Sequence, residues 1–445
     1  MNAILKLIRK RSGLQQSLTN IGWLGGDRIV RMLGAVLVGT AVARYLGPEQ
    51  FGLLNYGTAI FAIFNIASGL GLELLVVREV ALNPEKEPEI LGTACILKGA
   101  ASVVTTIAAV IAAWLLDPRN ETLTIIVALL STGAIAQAFD VVDYSFQAHT
   151  RSRFAVVPRN LVFIVGSIAR VIGVLFHAGL LTFAWIAGGE YVFSGVGLLV
   201  SYSLYRQTKG RWKWRTTQAK LLLQEGWPLL VAGLMFMLYF RSDQVLLGKL
   251  SSKAVVGQYS AAIKLSEIWY AIPIVVCASV MPPILKAMES DKEKYYARLQ
   301  RLYEGMVLLS VLVALGTQFA GPFFIRLLYG RDYSMAAGIL AVHIWTGVFG
   351  FMGAVSSQQL VQEKLTMSSM QRTGIGAIVN LALNFALIPR WGGIGSAFAT
   401  LIAQSIAFYF ADALDKRTRH IFRMKTRAYM RFWLLPRMLF ASSAD

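Results

Sequence analysis

Twelve stretches rich in Leu, Ile, Val and Ala recur along the whole 445-residue chain, and most are long enough to cross about 30 Å of hydrocarbon as helices. They lie at about 20–42, 52–76, 91–116, 122–147, 155–177, 180–204, 226–248, 257–285, 300–320, 335–358, 367–388 and 393–413. In lipid every backbone N–H and C=O must be paired inside its own segment or across a closed barrel. No alternating barrel pattern is present, so each stretch is expected to be a helix. The length would allow two or three soluble domains, but only 15% of residues are charged, well below the roughly 25% of soluble domains. The sequence therefore predicts an all-α polytopic membrane protein.

Little points to chemistry on bound groups. Cys95 and Cys277 sit in apolar stretches, and His149, His177, His343 and His420 lack metal-ligand spacing. Phosphate-loop, zinc-protease, nucleophile-elbow and CxxC motifs are all missing, so no catalytic residue, metal or cofactor is expected. A net charge of +19 would suggest nucleic acid in a soluble protein. Here it reads as topology.

With the N-terminus inside, thirty of the 43 basic residues fall in cytoplasmic segments, seven in outer loops and six within spans. Arg159 and Arg372 are counted among the cytoplasmic ones. A bias of this size across every loop predicts an even number of spans and two cytoplasmic termini. The first apolar segment is too long for a signal peptide and contains Asp27, Arg28 and Arg31, so it is expected to be retained.

Five regions follow. Residues 1–18 form a basic amphipathic lead, 19–205 a six-helix N-lobe, 206–220 a basic cytoplasmic linker containing RWKWR, 221–413 a six-helix C-lobe, and 414–445 a basic amphipathic tail. The segment YLGPEQFGLLNYGTA (45–59) aligns with LGKLSSKAVVGQYSAA (247–262) when Phe51-Gly52 is set on Val256-Gly257. Six helices is an even number, so the two copies run parallel. In the tail, Arg419, Arg423, Arg427 and Arg431 recur every four residues, which predicts an interfacial helix drawn to anionic headgroups, with a cytoplasmic partner as the alternative.

Ionisable groups inside spans are costly and usually face a bundle interior or a water-filled cavity. Arg28, Arg31 and Arg241 are the leading candidates for an anionic substrate, followed by Lys264, Lys98 and Arg170. Asp27 and Arg31, at i,i+4, also suit a structural pair. Arg241 and Asp243 are two apart and face different ways. Asp243, Asp140, Asp143 and Glu267 are the candidates for proton or sodium coupling. Gln137, Asp140, Tyr144 and Gln147 form a polar stripe on the fourth span, where two nearby carboxylates can share a proton. Lys264 and Glu267, at i,i+3, suit mutual neutralisation. Lys98, Arg170 and Glu190 read as single charges, with Lys98 able to snorkel.

The stretch ARYLGPEQFGLLNYG resembles the hallmark of polysaccharide-biosynthesis membrane proteins. These are the O-antigen-type lipid-linked oligosaccharide flippases of the multidrug/oligosaccharidyl-lipid/polysaccharide exporter superfamily. RSDQVLLGKLSSKAVVGQYSAAIKL (241–265), FFIRLLYGRDYSMAAGIL (323–340) and LIPRWGGIGSAFATLIAQ (387–404) carry the resemblance across about residues 20–413. It implies two parallel six-helix lobes around a central cavity in the bacterial inner membrane. It also implies alternating access and export of an undecaprenyl-pyrophosphate-linked oligosaccharide, without enzyme activity or nucleic acid. Membrane lipids and polymerase or glycosyltransferase partners follow from that pathway. A multidrug or cation antiporter of the same superfamily is the alternative, and a membrane oligosaccharide polymerase or ligase the enzyme rival. The peptidoglycan-precursor flippases resemble fourteen-helix proteins, whereas twelve spans are expected here.

Overall fold

The computed structural model describes residues 2–206 and 210–434, with side chains described at Gly34 and from Val36 onward except 289 and 290. Among the described residues every regular element is helical. In chain order these are α1 (Asn2–Ser68), α2 (Leu72–Leu82), α3 (Glu87–Leu116), α4 (Glu121–Ala134), α5 (Val141–Ala148), α6 (Arg153–Leu175), α7 (Leu180–Tyr205) and α8 (Thr216–Leu250). They continue with α9 (Lys253–Glu267), α10 (Ala271–Ser290), α11 (Lys292–Tyr329), α12 (Ser334–His343), α13 (Thr346–Gln362), α14 (Thr366–Ser405), α15 (Ala411–Leu414) and α16 (Arg419–Arg431).

Nine helices among the described residues are long and apolar enough to span a membrane, or ten with the bent pair Arg331–His343 and Thr346–Gln362. Two of these elements hold a glycine kink, at Gly47 in α1 (φ 72°) and Gly392 in α14 (φ 54°). Both are in the left-handed region, where a Cβ is penalised. Pro48 and Pro389 lie beside the kinks, where the missing N–H weakens the helical ladder. Dividing the two elements at their kinks makes twelve helical arms. Loops expected near 43–51 and 389–392 are therefore single-residue breaks. The fourth span, expected as one helix, is interrupted by a 3-10 segment at Ile135–Asp140 between α4 and α5.

The chain divides into two compact units, one comprising Met1–Leu46 with Leu54–Met237 and the other Gly47–Leu53 with Leu238–Asp445. In the first, Leu72, Val76, Ile90, Val141 and Leu198 are fully buried in one apolar core. The linker there is docked as well as basic. Lys213 N donates to the Pro88 carbonyl at 3.1 Å, and Arg215 pairs with Glu89 at 2.9 Å. A Cβ on Gly92 would run into the Lys213 backbone.

In the second unit, Tyr303, Met306, Phe351, Met352, Ile421 and Ala428 share one core. The tail helix α16 is thus packed against the folded body along one face. Ile421, Met424, Lys425 and Ala428 recur at helical spacing and turn inward, while Arg419, Arg423, Arg427 and Arg431 stay exposed on the other face. Lys425 Nζ, fully buried, reaches Asp412 Oδ2 at 2.6 Å, Ser356 Oγ at 2.9 Å and the Phe408 carbonyl at 2.6 Å, within the π-helical turn Ile406–Phe410. Burial pushes this amine down to about 8. Arg372, assigned to a cytoplasmic loop from the sequence, is 2% exposed and lies 3.6 Å from Asp412. Arg437 is outside the described residues.

Candidate functional site

The first unit gathers its intramembrane charges around Arg159. The guanidinium donates from Nη2 to Asp140 Oδ1 at 2.7 Å and from Nη1 to Asp143 Oδ2 at 2.5 Å. The 3-10 segment before α5 places both carboxylates toward α6, so one cation serves two acids. Lys98 does not snorkel. It is 2% exposed, its Nζ donates to Tyr144 Oη at 2.9 Å, and it sits 3.8 Å from Asp140. Arg170 and Glu190 are not single charges either. They form a two-pronged pair between α6 and α7, at 2.6 and 2.8 Å. Gln137, Asp140, Arg159, Glu190, Tyr191 and Ser194 line a polar cavity of about 440 Å³ inside this unit.

Arg159 was missed because it falls seven residues beyond the loop at 149–152 and reads as one more cytoplasmic cation. The available signal was its place within an apolar span already drawn from 155. Arg28 and Arg31, together with Asp27, lie outside the residues whose side chains are described.

The second unit holds Asp243 differently. This carboxylate is 4% exposed and is met only by neutral donors. Tyr259 Oη donates at 2.6 Å, Thr400 Oγ1 at 2.7 Å and Asn384 Nδ2 at 2.8 Å. No cation stands within 4 Å of it among the described residues. The kink at Gly392 folds the two arms of α14 together, so that Ser396 Oγ donates to Asn384 Oδ1 at 2.8 Å. A Cβ on Gly395 would sit 2.5 Å from the Leu387 carbonyl oxygen. The result is a nest of oxygen and amide groups around one buried acid, of the hard-donor type that suits a proton or an alkali cation. Asn380, Asn384, Ser396 and Thr400 were not singled out in the sequence, although each pair is four apart within an apolar span.

One helical turn further along the same unit, Arg241 and Lys264 both act electrostatically on Glu267. Lys264 Nζ also lies over the Phe51 ring, 4.6 Å from its centroid. The structure thus brings together Arg241, Lys264 and Glu267, and sets Asp243 nearby in its own pocket of neutral groups. Lys98, Asp140, Asp143 and Arg170 belong to the first unit.

The sequence profile of the polysaccharide biosynthesis protein family matches residues 17–289. The chain belongs to this family. Among curated family-like proteins, it is 28% identical over 183 residues to "Probable flippase AglR" of Haloferax volcanii, covering 39% of this chain and 37% of that one. It is 22% identical over 261 residues to "Putative O-antigen transporter" of Shigella dysenteriae, covering 56% and 64%. The chain spans about two fifths and just under two thirds of the length of these relatives. The polysaccharide biosynthesis fold is shared with an inward-facing multidrug resistance MATE family transporter of the MOP superfamily (TM-score 0.70, 14% identity, 92% and 96% coverage). It is also shared with the lipid II flippase MurJ in an inward closed conformation (TM-score 0.67, 13% identity, 94% and 92% coverage).

Proposed function

We propose that this multi-pass membrane protein is a flippase that carries an undecaprenyl-pyrophosphate-linked oligosaccharide from the cytoplasmic to the periplasmic leaflet of a bacterial inner membrane, by alternating access. Family membership supports a role in polysaccharide biosynthesis, and the names of its relatives support transport over catalysis. The observation that carries the head-group reading is the gathering of two intramembrane cations, Arg241 and Lys264, beside Glu267 and Asp243 in one unit. Cations held inside the membrane suit a diphosphate, which cannot enter hydrocarbon without replacements for its water. Arg28 and Arg31 join them in this proposal from their place in the first span. Lys98 and Arg170 fit a structural part better, since each is committed to a carboxylate.

Coupling to a proton or Na⁺ belongs to Asp243 in this reading, because among the four candidate acids it is the one held by neutral groups alone among the described residues. Asp140 and Asp143 already share Arg159. Both termini are cytoplasmic in this reading, on the side where glycosyltransferase partners would supply the substrate, while a polymerase partner would use it at the periplasmic leaflet.

The test is the sidedness of lipid-linked oligosaccharide in cells with and without the gene. Accumulation on the cytoplasmic leaflet, relieved by the wild type but not by Arg241→Ala/Lys264→Ala at equal expression, is the expected result. Unchanged sidedness in a strain with no second flippase overturns it. The uncompensated Asp243 also favours a cation antiporter as the second reading, and efflux of an organic cation in the same strain separates the two.

A further inference from the structure

The polar cavity of the first unit has no part in the head-group or coupling reading, yet it is built as a ligand site. Its volume, about 440 Å³, falls within the roughly 300–1,000 Å³ usual for small-ligand pockets. Three elements line it in register. On the 3-10 segment Ile135–Asp140, Gln137 and Asp140 are three apart, and residues at that spacing eclipse in 3-10 geometry, so both face the cavity. On α7, Glu190, Tyr191 and Ser194 share one face at steps of three and four. Arg159 closes the site from α6.

The charged groups of the lining are fixed and already matched. Arg159 bridges Asp140 and Asp143, and Glu190 is gripped by both terminal nitrogens of Arg170. The Glu190 carboxylate also lies so close to Gly166 that a Cβ there would overlap it. Lys98 stands beside Asp140 as a further cation, while Glu73, exposed on α2, acts on the cluster from outside. No surplus positive charge is left for a phosphate, and each lining acid has its cation, which disfavours a cationic ligand. By contrast, Gln137, Ser194 and the Tyr191 hydroxyl make no hydrogen bond among the described residues. The site therefore offers neutral donors and acceptors among paired charges that can each take a further bond. Hydroxyl groups, which donate and accept at once, complement such a lining. The Tyr191 ring, propped by Phe61 at 5.5 Å between centroids, adds an apolar body beside its polar tip.

We propose that this cavity holds an uncharged, hydroxyl-rich sugar of the lipid-linked glycan, with Gln137, Tyr191 and Ser194 deciding which sugar is accepted. The proposal rests on the flippase reading and deepens it, giving the glycan a site in the first unit formed by residues other than the head-group cations.

The full chain in detergent is titrated with two ligands. One is the lipid-linked oligosaccharide pool extracted from a strain lacking the gene, and the other is undecaprenyl pyrophosphate without sugar. The ratio of the two affinities isolates the contribution of the sugar. The wild type is expected to bind the oligosaccharide more tightly. Gln137→Ala/Ser194→Ala should lower the ratio about tenfold and Tyr191→Phe about fivefold, the loss of one to two hydrogen bonds, with the affinity for undecaprenyl pyrophosphate unchanged. Melting temperatures should match the wild type, and Tyr191→Phe keeps the ring in place should the double variant fail to fold. Arg241→Ala/Lys264→Ala should weaken both ligands and leave the ratio alone. Equal affinities in the wild type, a ratio indifferent to the cavity variants, or displacement of the oligosaccharide by tetraphenylphosphonium would each overturn the sugar site. Flipping of the same pool is measured in vesicles. Flipping by a protein that binds both lipids equally removes only the sugar site, whereas tighter binding of the oligosaccharide without flipping removes the transport reading.

Discussion

Gly52 and Gly257 meet each other's segments reciprocally. A Cβ on Gly52 would overlap the Lys253 carbonyl, and a Cβ on Gly257 would overlap the Pro48 carbonyl. In both cases the carbonyl belongs to the residue four positions before the opposite glycine. The contact is therefore its own mirror under the alignment of Phe51-Gly52 with Val256-Gly257, and the internal repeat shows itself as a pseudo-symmetric backbone junction within the second unit. Both positions require the absence of a side chain, since backbone-to-backbone approach of this kind leaves no volume for one.

Gly52→Ala and Gly257→Ala are each expected to destabilise the protein by about 1–3 kcal/mol or more through overpacking against a rigid carbonyl. Gly374→Ala, which would meet nothing within 4 Å, is the neutral comparison. Melting temperatures in detergent check it. Equal melting of all three variants would refute the junction.

Arg159→Leu leaves Asp140 and Asp143 without their shared cation and is expected to cost about 3–5 kcal/mol, the usual penalty for orphaning buried charge. Adding Asp143→Asn should restore much of that loss, because Lys98 then remains to balance Asp140. A thermal-shift series of the three proteins reads the effect. Failure of the added substitution to rescue would assign Arg159 some other task.

Asp243→Asn keeps the shape of the pocket formed by Tyr259, Asn384 and Thr400 while removing its charge. Folding should survive, and the dependence of transport on pH or Na⁺ should vanish. Sidedness assays at two pH values, with and without Na⁺, make the comparison. Persisting ion dependence would move coupling away from this acid.

His420 Nε2 donates to Glu363 Oε2 at 2.8 Å, and that carboxylate holds the imidazole above its ordinary value. A histidine raised in the folded state contributes stability fully below its unfolded value, near 6.5, and loses it as pH climbs through the folded value. The docking of α16 should therefore weaken as pH rises above about 6.5. Hydrogen exchange of α16 amides, corrected for intrinsic rate, should show this fall, and Glu363→Gln should flatten it. Exchange equally flat in the wild type would mean that the pair does not anchor the helix.

The spans were legible because apolar length and the basic-residue bias act independently and agree. Asp243 stood out for a similar reason: an acid inside an apolar run is conspicuous. Its partners did not, because Asn384 and Thr400 lie 141 and 157 residues away, and nothing local distinguishes an Asn that serves an acid from one that packs. Arg159 and Arg372 were misassigned by their nearness to basic loops, where a buried cation and a hydrated one look alike in sequence. The arginine periodicity of α16 described its exposed face correctly but concealed its inner one. Ile421, Met424 and Ala428 are too few and too widely spaced among charges to announce a core contribution.

That inner face has a consequence for biosynthesis. Residues 419–431 emerge from the ribosome after α10, α11 and α13, the helices whose core they complete. Until they arrive, Asp412 lacks Lys425, and the apolar patch around Tyr303 and Phe351 stays uncovered. A nascent chain stalled before residue 419 should consequently be a substrate for membrane proteases even with all of its spans inserted, so α16 works as a completion check on the polypeptide that precedes it.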